Sequence, residues 1–239
     1  AAPDPILALF ASGEQGVYWR RNKSDFFQNS DGTVAAGTGD TAGYIQDLSP
    51  NGNNPVQPDA ASRGQLTADG LSLDGLDDFY VMPAAVAGSA SSSQTVVMAV
   101  FVEAITPTDY LYGDNDNSGL VVQVTLGNVI RPAIFYASDG AEAPFGNTNI
   151  IGGWAIVTAV LDRSASTLVA RVNGVQDAFS TTTAENLKTP TSVIMGAKDP
   201  RNSHINAKFA ALFSFDGVLS TENLEMVEQS FADDVGLTL

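Results

Sequence analysis

From residue 95 onward the chain delivers one short apolar run after another: TVVMAVFVE, GLVVQVTL, VIRPAIFY, WAIVTAVLD, TLVARVNG, SVIMGA and KFAALFSF. Each run is rich in β-branched or aromatic residues, turn residues separate them, and no helical pattern intervenes. Many strands at short spacing with no crossover helices restrict the fold to an antiparallel sandwich or barrel. Several runs alternate: Val122, Val124 and Leu126 share one face, Val121, Gln123 and Thr125 the other. Asn173-Gly174 between LVARV and VQDAF predicts a tight hairpin, because a type I′ turn needs φ > 0 at both central positions. The end of the chain changes period. In STENLEMVEQSFADDVG, Leu224, Val227 and Phe231 recur at helical spacing. Ser220 or Thr221 can cap this helix, Glu222 complements its N-terminal dipole, and Gly236 follows.

The first third is irregular. PILALF suits one helical turn, GVYWR a short strand, and LSPNGNNPVQP a surface loop. With 239 residues, no internal repeat and no low-complexity linker, residues 1–239 read as one domain. Residues 1–60 wrap or anchor it. Ile6, Leu7, Leu9 and Phe10 supply an apolar anchor, either for a particle or sister subunit or folded back onto the same sandwich. The apolar run at the N-terminus is short and has no basic region before it, so it reads as neither a signal peptide nor a membrane anchor.

Charge narrows the partners. Eleven Lys and Arg against 27 Asp and Glu give a net charge of −16. That field repels phosphate backbones and anionic lipid, so neither nucleic acid nor membrane is an expected partner. The chain has no cysteine, which excludes thiol catalysis, disulfides and thiolate metal sites.

Motifs in the first third go further. GEQGVYWR, SDFFQNSDGT, AGYIQDLSPNGNNPVQPDAASRGQL and LSLDGLDDFYV follow one another in an order that resembles the concanavalin A-like (laminin-G-like) jelly rolls of tailed-phage structural proteins. GGWAIVTAVLDRSASTLVARVNG and AKFAALFSFDGVLSTENLEMVEQSFADDVG are similar to the later strands and closing helix of the same modules. Gly64 stands where those proteins often have Pro, and Leu73 where they have Phe. The resemblance implies a two-sheet antiparallel jelly-roll sandwich with a short C-terminal helix. It also implies a virion protein of the tail-fibre, head-spike or capsid-decoration type. Such a protein is a homo-oligomer among other virion proteins, with host surface polysaccharide as a further partner.

Chemistry is less legible. A glycosidase needs two carboxylates roughly 5–9 Å apart across the scissile bond, and no Glu-x-Asp-x-x-Glu string is present to place them on one strand. The chain therefore reads as non-enzymatic, with a glycan-degrading enzyme on the same fold as the alternative. Asp74, Asp77 and Asp78 in LSLDGLDDFYVM read as turn residues between two strands, with Asp77 and Asp78 able to assist a cation. His204, the single histidine, reads as a surface-loop residue. Calcium prefers oxygen ligands, and YGDNDNSG gathers Asp114, Asn115, Asp116 and Asn117 in one loop. The turn reading of that loop comes first and calcium is the alternative. Asp199 and Asn202 form a second such loop. For glycan binding, Tyr110, Tyr112, Tyr136 and Phe145 are the loop aromatics, with residues 137–149 as the presenting loop. Trp19 and Trp154 are expected in the core.

Overall fold

The computed structural model describes residues 3–114, 118–198 and 203–239. A 3₁₀ turn, Pro5–Phe10, precedes β1 (Gly16–Arg20), and the short strands β2 (Phe26–Phe27), β3 (Tyr44–Ile45) and β4 (Gln65–Leu66) follow. Then come β5 (Leu71–Asp74), β6 (Tyr80–Pro83), β7 (Gln94–Ala104), β8 (Thr108–Gly113), β9 (Gly119–Thr125), β10 (Val129–Phe135) and β11 (Ala141–Glu142). The chain closes with β12 (Trp154–Asp162), β13 (Thr167–Val172), β14 (Val175–Thr181), β15 (Ser192–Met195), β16 (Asn206–Phe215) and α1 (Thr221–Asp234).

Two antiparallel sheets form a sandwich, as expected. The larger runs β14-β13-β12-β7-β16-β5-β4, with β1 also paired to β16; the smaller runs β11-β10-β9-β8-β15-β6. β1 continues the line of β5: Gly16 to Arg20 pair with Phe215 to Ala211, while β5 pairs with Asn206 to Phe209. Period-2 alternation sends Val96, Met98, Val100 and Val102 of β7 and Val122 and Val124 of β9 into the main core between the sheets. The hairpin at 173–174 forms with φ of 50° and 76°, inside the β13–β14 pair.

The alternate residues of the larger sheet build a second apolar layer. Val97, Ala99, Ala211 and Phe213 point away from the main core and are roofed by α1 through Leu224, Val227 and Phe231. Ser220 caps the helix by accepting the Asn223 N–H at 3.3 Å. Leu237 and Gly236 donate back to Ala232 and Asp233 and close its far end. The apolar N-terminus joins this layer. Ile6 and Phe10 are buried in it, and Phe10 lies 5.5 Å from Phe213 between ring centroids. Ile6 and Phe10 thus pack against the chain's own sandwich, with Leu7 left exposed.

The motifs of the first third turn out to be internal wiring. Asp47 is buried and accepts the N–H groups of Tyr18, Ser49 and Asn53 and the Ser49 hydroxyl at 2.7–2.9 Å. Arg63 donates to three backbone carbonyls, those of Gln28, Gln57 and Pro58. Gly16 is required by close approach, since a Cβ there would stand 1.9 Å from the Ser214 carbonyl oxygen. A segment with little regular structure is thus fixed by side chains that answer backbone polar groups.

Candidate functional site

On the outer face of the smaller sheet, Tyr110, Gln123 and Arg131 stand side by side across three strands, because β9 pairs Gln123 with both neighbours. Tyr110 reaches this face through an irregularity. The register of β8 against β9 shifts between Tyr110 and Tyr112, so Leu111 and Tyr112 both turn into the main core. Tyr110 packs with Val121 and Ala133 and shares a side-chain hydrogen bond with Gln123. Burial pushes its phenol pKa up. Gln123 Oε1 and Thr125 Oγ1, on the same face, are buried without a partner among the described groups. Each such orphan costs about 1–3 kcal/mol that the fold itself does not recover.

The segment 137–149 crosses the edge of this face. It is no free loop. β11 pairs with β10, Ser138 donates to the Glu185 carboxylate, and Asp177 accepts the N–H groups of Asn147 and Thr148 and the Thr148 hydroxyl. Phe145 is the side chain it presents outward. The residue is 59% exposed, and its ring centroid lies 4.8 Å from the Arg131 guanidinium carbon. Tyr110 and Phe145 share one face through Gln123 and Arg131, two residues the sequence reading missed, but Tyr110 lies in β8 and not in a loop and is itself buried, which leaves Phe145 as the exposed ring. Alternation along β9 and β10 puts Gln123 and Arg131 both on the outer face, but their pairing depends on the strand register, which alternation does not give.

The other two aromatics are corrections. Tyr112 is fully buried, its hydroxyl held by Gln94 and Ser214 at 2.9 and 3.0 Å. Tyr136 is buried in the main core and accepts the Thr183 N–H. Neither ring has a face for a ligand. Trp19 is buried as expected, whereas Trp154 is half-buried on the outer side of the larger sheet. His204 is buried too, its Nδ1 3.4 Å from the Asp78 carbonyl oxygen and its ring 6.0 Å from that of Phe79.

Of the calcium loop, Asn115, Asp116 and Asn117 lie outside the described residues, as do Asp199 and Asn202. Asp114 is buried and accepts the Ser118 hydroxyl at 2.5 Å and the Thr191 N–H at 3.2 Å. The carboxylate oxygens of Asp74, Asp77 and Asp78 lie within 4.8 Å of one another. Two of them carry the turn: Asp74 accepts the Leu76 N–H, and Asp78 accepts the Asp74 N–H. Burial, reinforced by the Asp74 and Asp77 charges, pushes the Asp78 carboxyl up to about 6.

No family model and no curated protein matches the sequence. Solved structures do match by shape. The botulinum neurotoxin serotype D ligand-binding domain, in complex with N-acetylneuraminic acid, superposes with a TM-score of 0.66 at 12% identity, over 95% of this chain and 53% of that one. The binding domain of Paraclostridial Mosquitocidal Protein 1 gives 0.56 at 14% identity, over 81% and 51%. Trypanosoma rangeli sialidase in complex with sialic acid gives 0.61 at 14%, over 90% and 33%. The chain thus spans about half the length of the toxin domains and a third of the sialidase. At these identities the likeness is one of fold, and it establishes the β-sandwich.

Proposed function

We propose that the chain is a non-enzymatic carbohydrate-recognition domain of a tailed-phage virion, part of a tail fibre, head spike or capsid decoration. One observation carries the recognition: Phe145 holds an aromatic ring out to solvent against Arg131, itself paired across the sheet with Gln123, on a segment fastened at three points. An aromatic surface fixed in place, with a guanidinium at its edge, offers a sugar ring contact area and oriented hydrogen bonds without an ordering cost. Two proteins that contain a sandwich of this shape, the serotype D ligand-binding domain and the sialidase, are solved in complex with sialic acids. The virion setting rests on the motif resemblance of the first third. Phe145→Ala should weaken binding to immobilised bacterial cell-surface polysaccharide at least tenfold, or about 1.4 kcal/mol, with an unchanged melting temperature. Unchanged affinity sinks the assignment. Antibody labelling of purified particles tests the setting, and unlabelled particles reject it.

A second reading keeps one observation behind it. Asp74 and Asp78 are neighbouring carboxyls, Asp78 with a raised pKa, and Asp74 lines a cleft with Asp109, His204 and Asn206. Release of reducing ends from the bound polysaccharide, abolished by Asp78→Asn, would move the protein to the glycan-degrading class.

A further inference from the structure

The helix roofs only part of the outer face of the larger sheet. Beyond its C-terminal end a row of side chains crosses five strands in register: Trp154, Phe101, Lys208, Ser72 and Gln65. Their chain neighbours Val100, Val102, Ala207, Leu71, Leu73 and Leu66 fill the main core, so the row itself faces out. The Trp154 and Phe101 rings meet edge to face at 5.8 Å, and the Lys208 ammonium sits 5.3 Å from the Phe101 centroid while pairing with Glu103 at 3.1 Å.

At the Trp154 end, beside the last turn of α1, a cleft of about 200 Å³ opens between Arg21, Asn22, Ala68, Asp69, Ala210 and Asp234. Ala68 and Ala210 leave the room. Arg21 is occupied by the Thr67 carbonyl and the Thr38 hydroxyl, and Asn22 by Asp234, which also pairs with Arg20. Two polar groups of the lining remain unused. The indole N–H of the half-buried Trp154 and the carboxylate of the exposed Asp69 have no hydrogen-bond or ion-pair partner among the described residues. One is a donor and the other an acceptor, set around an aromatic wall. The lining charges without an ion-pair partner among the described residues, Arg21 and Asp69, are opposite and cancel, within a chain of net charge −16.

We infer that this cleft binds a neutral hexose unit of a glycan, with Trp154 as its aromatic wall and Asp69 accepting a sugar hydroxyl. The inference rests on the reading of the chain as a carbohydrate-recognition domain, but it names a second site on the opposite side of the sandwich from Phe145. A neutral ring satisfies the free donor and the free acceptor together, whereas a carboxylated sugar would face Asp69 inside an already anionic field.

The test titrates the whole chain with maltohexaose, cellohexaose, laminarihexaose and 3′-sialyllactose, read by calorimetry and tryptophan fluorescence. Trp19 is buried, so an emission change reports Trp154. At least one neutral hexaose should shift the emission. Trp154→Ala should then weaken its binding at least tenfold. Asp69→Ala, at an exposed turn where folding is not at stake, should weaken it about fivefold. Binding of no neutral hexaose, of 3′-sialyllactose alone, or equally by both variants overturns the inference. The two failures separate cleanly. Polysaccharide bound by the parent and lost in Phe145→Ala but kept in Trp154→Ala sinks this site and leaves the proposed function standing. A parent that binds no glycan or polysaccharide at all sinks both.

Discussion

The two outer faces of the sandwich are built to opposite ends. That of the larger sheet is mostly a second core. Phe10, Tyr18, Phe213, Phe215 and Phe231 interlock there, with Phe213 and Phe215 stacked at 5.9 Å and Tyr18 and Phe231 at 6.2 Å. That of the smaller sheet carries a small apolar cluster of Tyr110, Val121 and Ala133, and buries polar atoms without partners. Apart from the cleft at Trp154, beyond the end of the helix, the first face is spent on stability. The other holds unused hydrogen-bonding capacity and an exposed ring. A chain with enough apolar residues to roof one sheet leaves the other sheet for contacts with something else.

The largest expected effect tests that division directly. Phe231→Ala removes a fully buried ring from beneath the helix and should cost about 3–5 kcal/mol. Phe145→Ala should stay within about 0.5 kcal/mol, as an exposed site does. Chemical denaturation of both variants measures the contrast. Similar costs for the two would show that the faces do not differ in the way described. A buried ion pair belongs to the same covered face. Glu228 in the helix accepts the Thr158 hydroxyl at 2.7 Å and meets Arg171 Nε at 3.0 Å. By hydrogen-bond angle that Nε is not aligned, and the hydrogen bond of the pair runs instead from Arg171 Nη2 to the other Glu228 oxygen at 3.0 Å.

A smaller change sharpens the comparison by loosening the roof without emptying it. Ser220→Ala removes the cap of α1 and should cost about 1 kcal/mol. Amide exchange should rise in the first turn of the helix and stay unchanged in β8, β9 and β10. Faster exchange in those strands would mean that the two faces are coupled through the main core.

The covered face was legible in the sequence and the open one was not. Leu224, Val227 and Phe231 repeat at the helical period, and the β-branched runs announce the strands. Ile6 and Phe10 were readable as apolar, but whether they anchor to a partner or fold back depends on where β1 and β16 lie, which spacing does not encode. Tyr110 and Tyr112 look equivalent along the chain. One residue of register shift sends Tyr110 out and Tyr112 in. Trp154 begins an apolar strand, so it read as core. Its half-exposure follows from the helix ending short of it. Leu126 continues the alternation of Val122 and Val124 but falls past the end of β9 and is 74% exposed. The motifs that carried the family resemblance, around Asp47, Arg63 and Gly16, describe how the first third is wired and say little about ligand.

The mildest prediction concerns the seam between the two sheets. The Asp74–Asp78 turn leads from β5 in the larger sheet to β6 in the smaller one. Burial there, with Asp74 and Asp77 adding like charge, raises the Asp78 carboxyl from 3.8 to about 6. The folded chain therefore holds this proton at pH values where the unfolded chain has released it. Stability contributed by the protonated form is fully present below about pH 4 and is lost as pH rises through 6. Most carboxylates with lowered pKa values work the other way; Asp4, stabilised by Lys23 and Tyr18 against its own burial, loses its contribution on acidification. The Asp78 effect is thus visible only as a difference. Asp78→Asn keeps an oxygen for the Asp74 N–H and removes the titration. Melting temperatures of parent and variant measured from pH 4 to pH 7 should diverge in favour of the variant as pH rises from about 4 to about 6, and run parallel above that. Curves parallel over the whole range would place the proton elsewhere and reduce the three aspartates to turn residues without electrostatic tension at the seam.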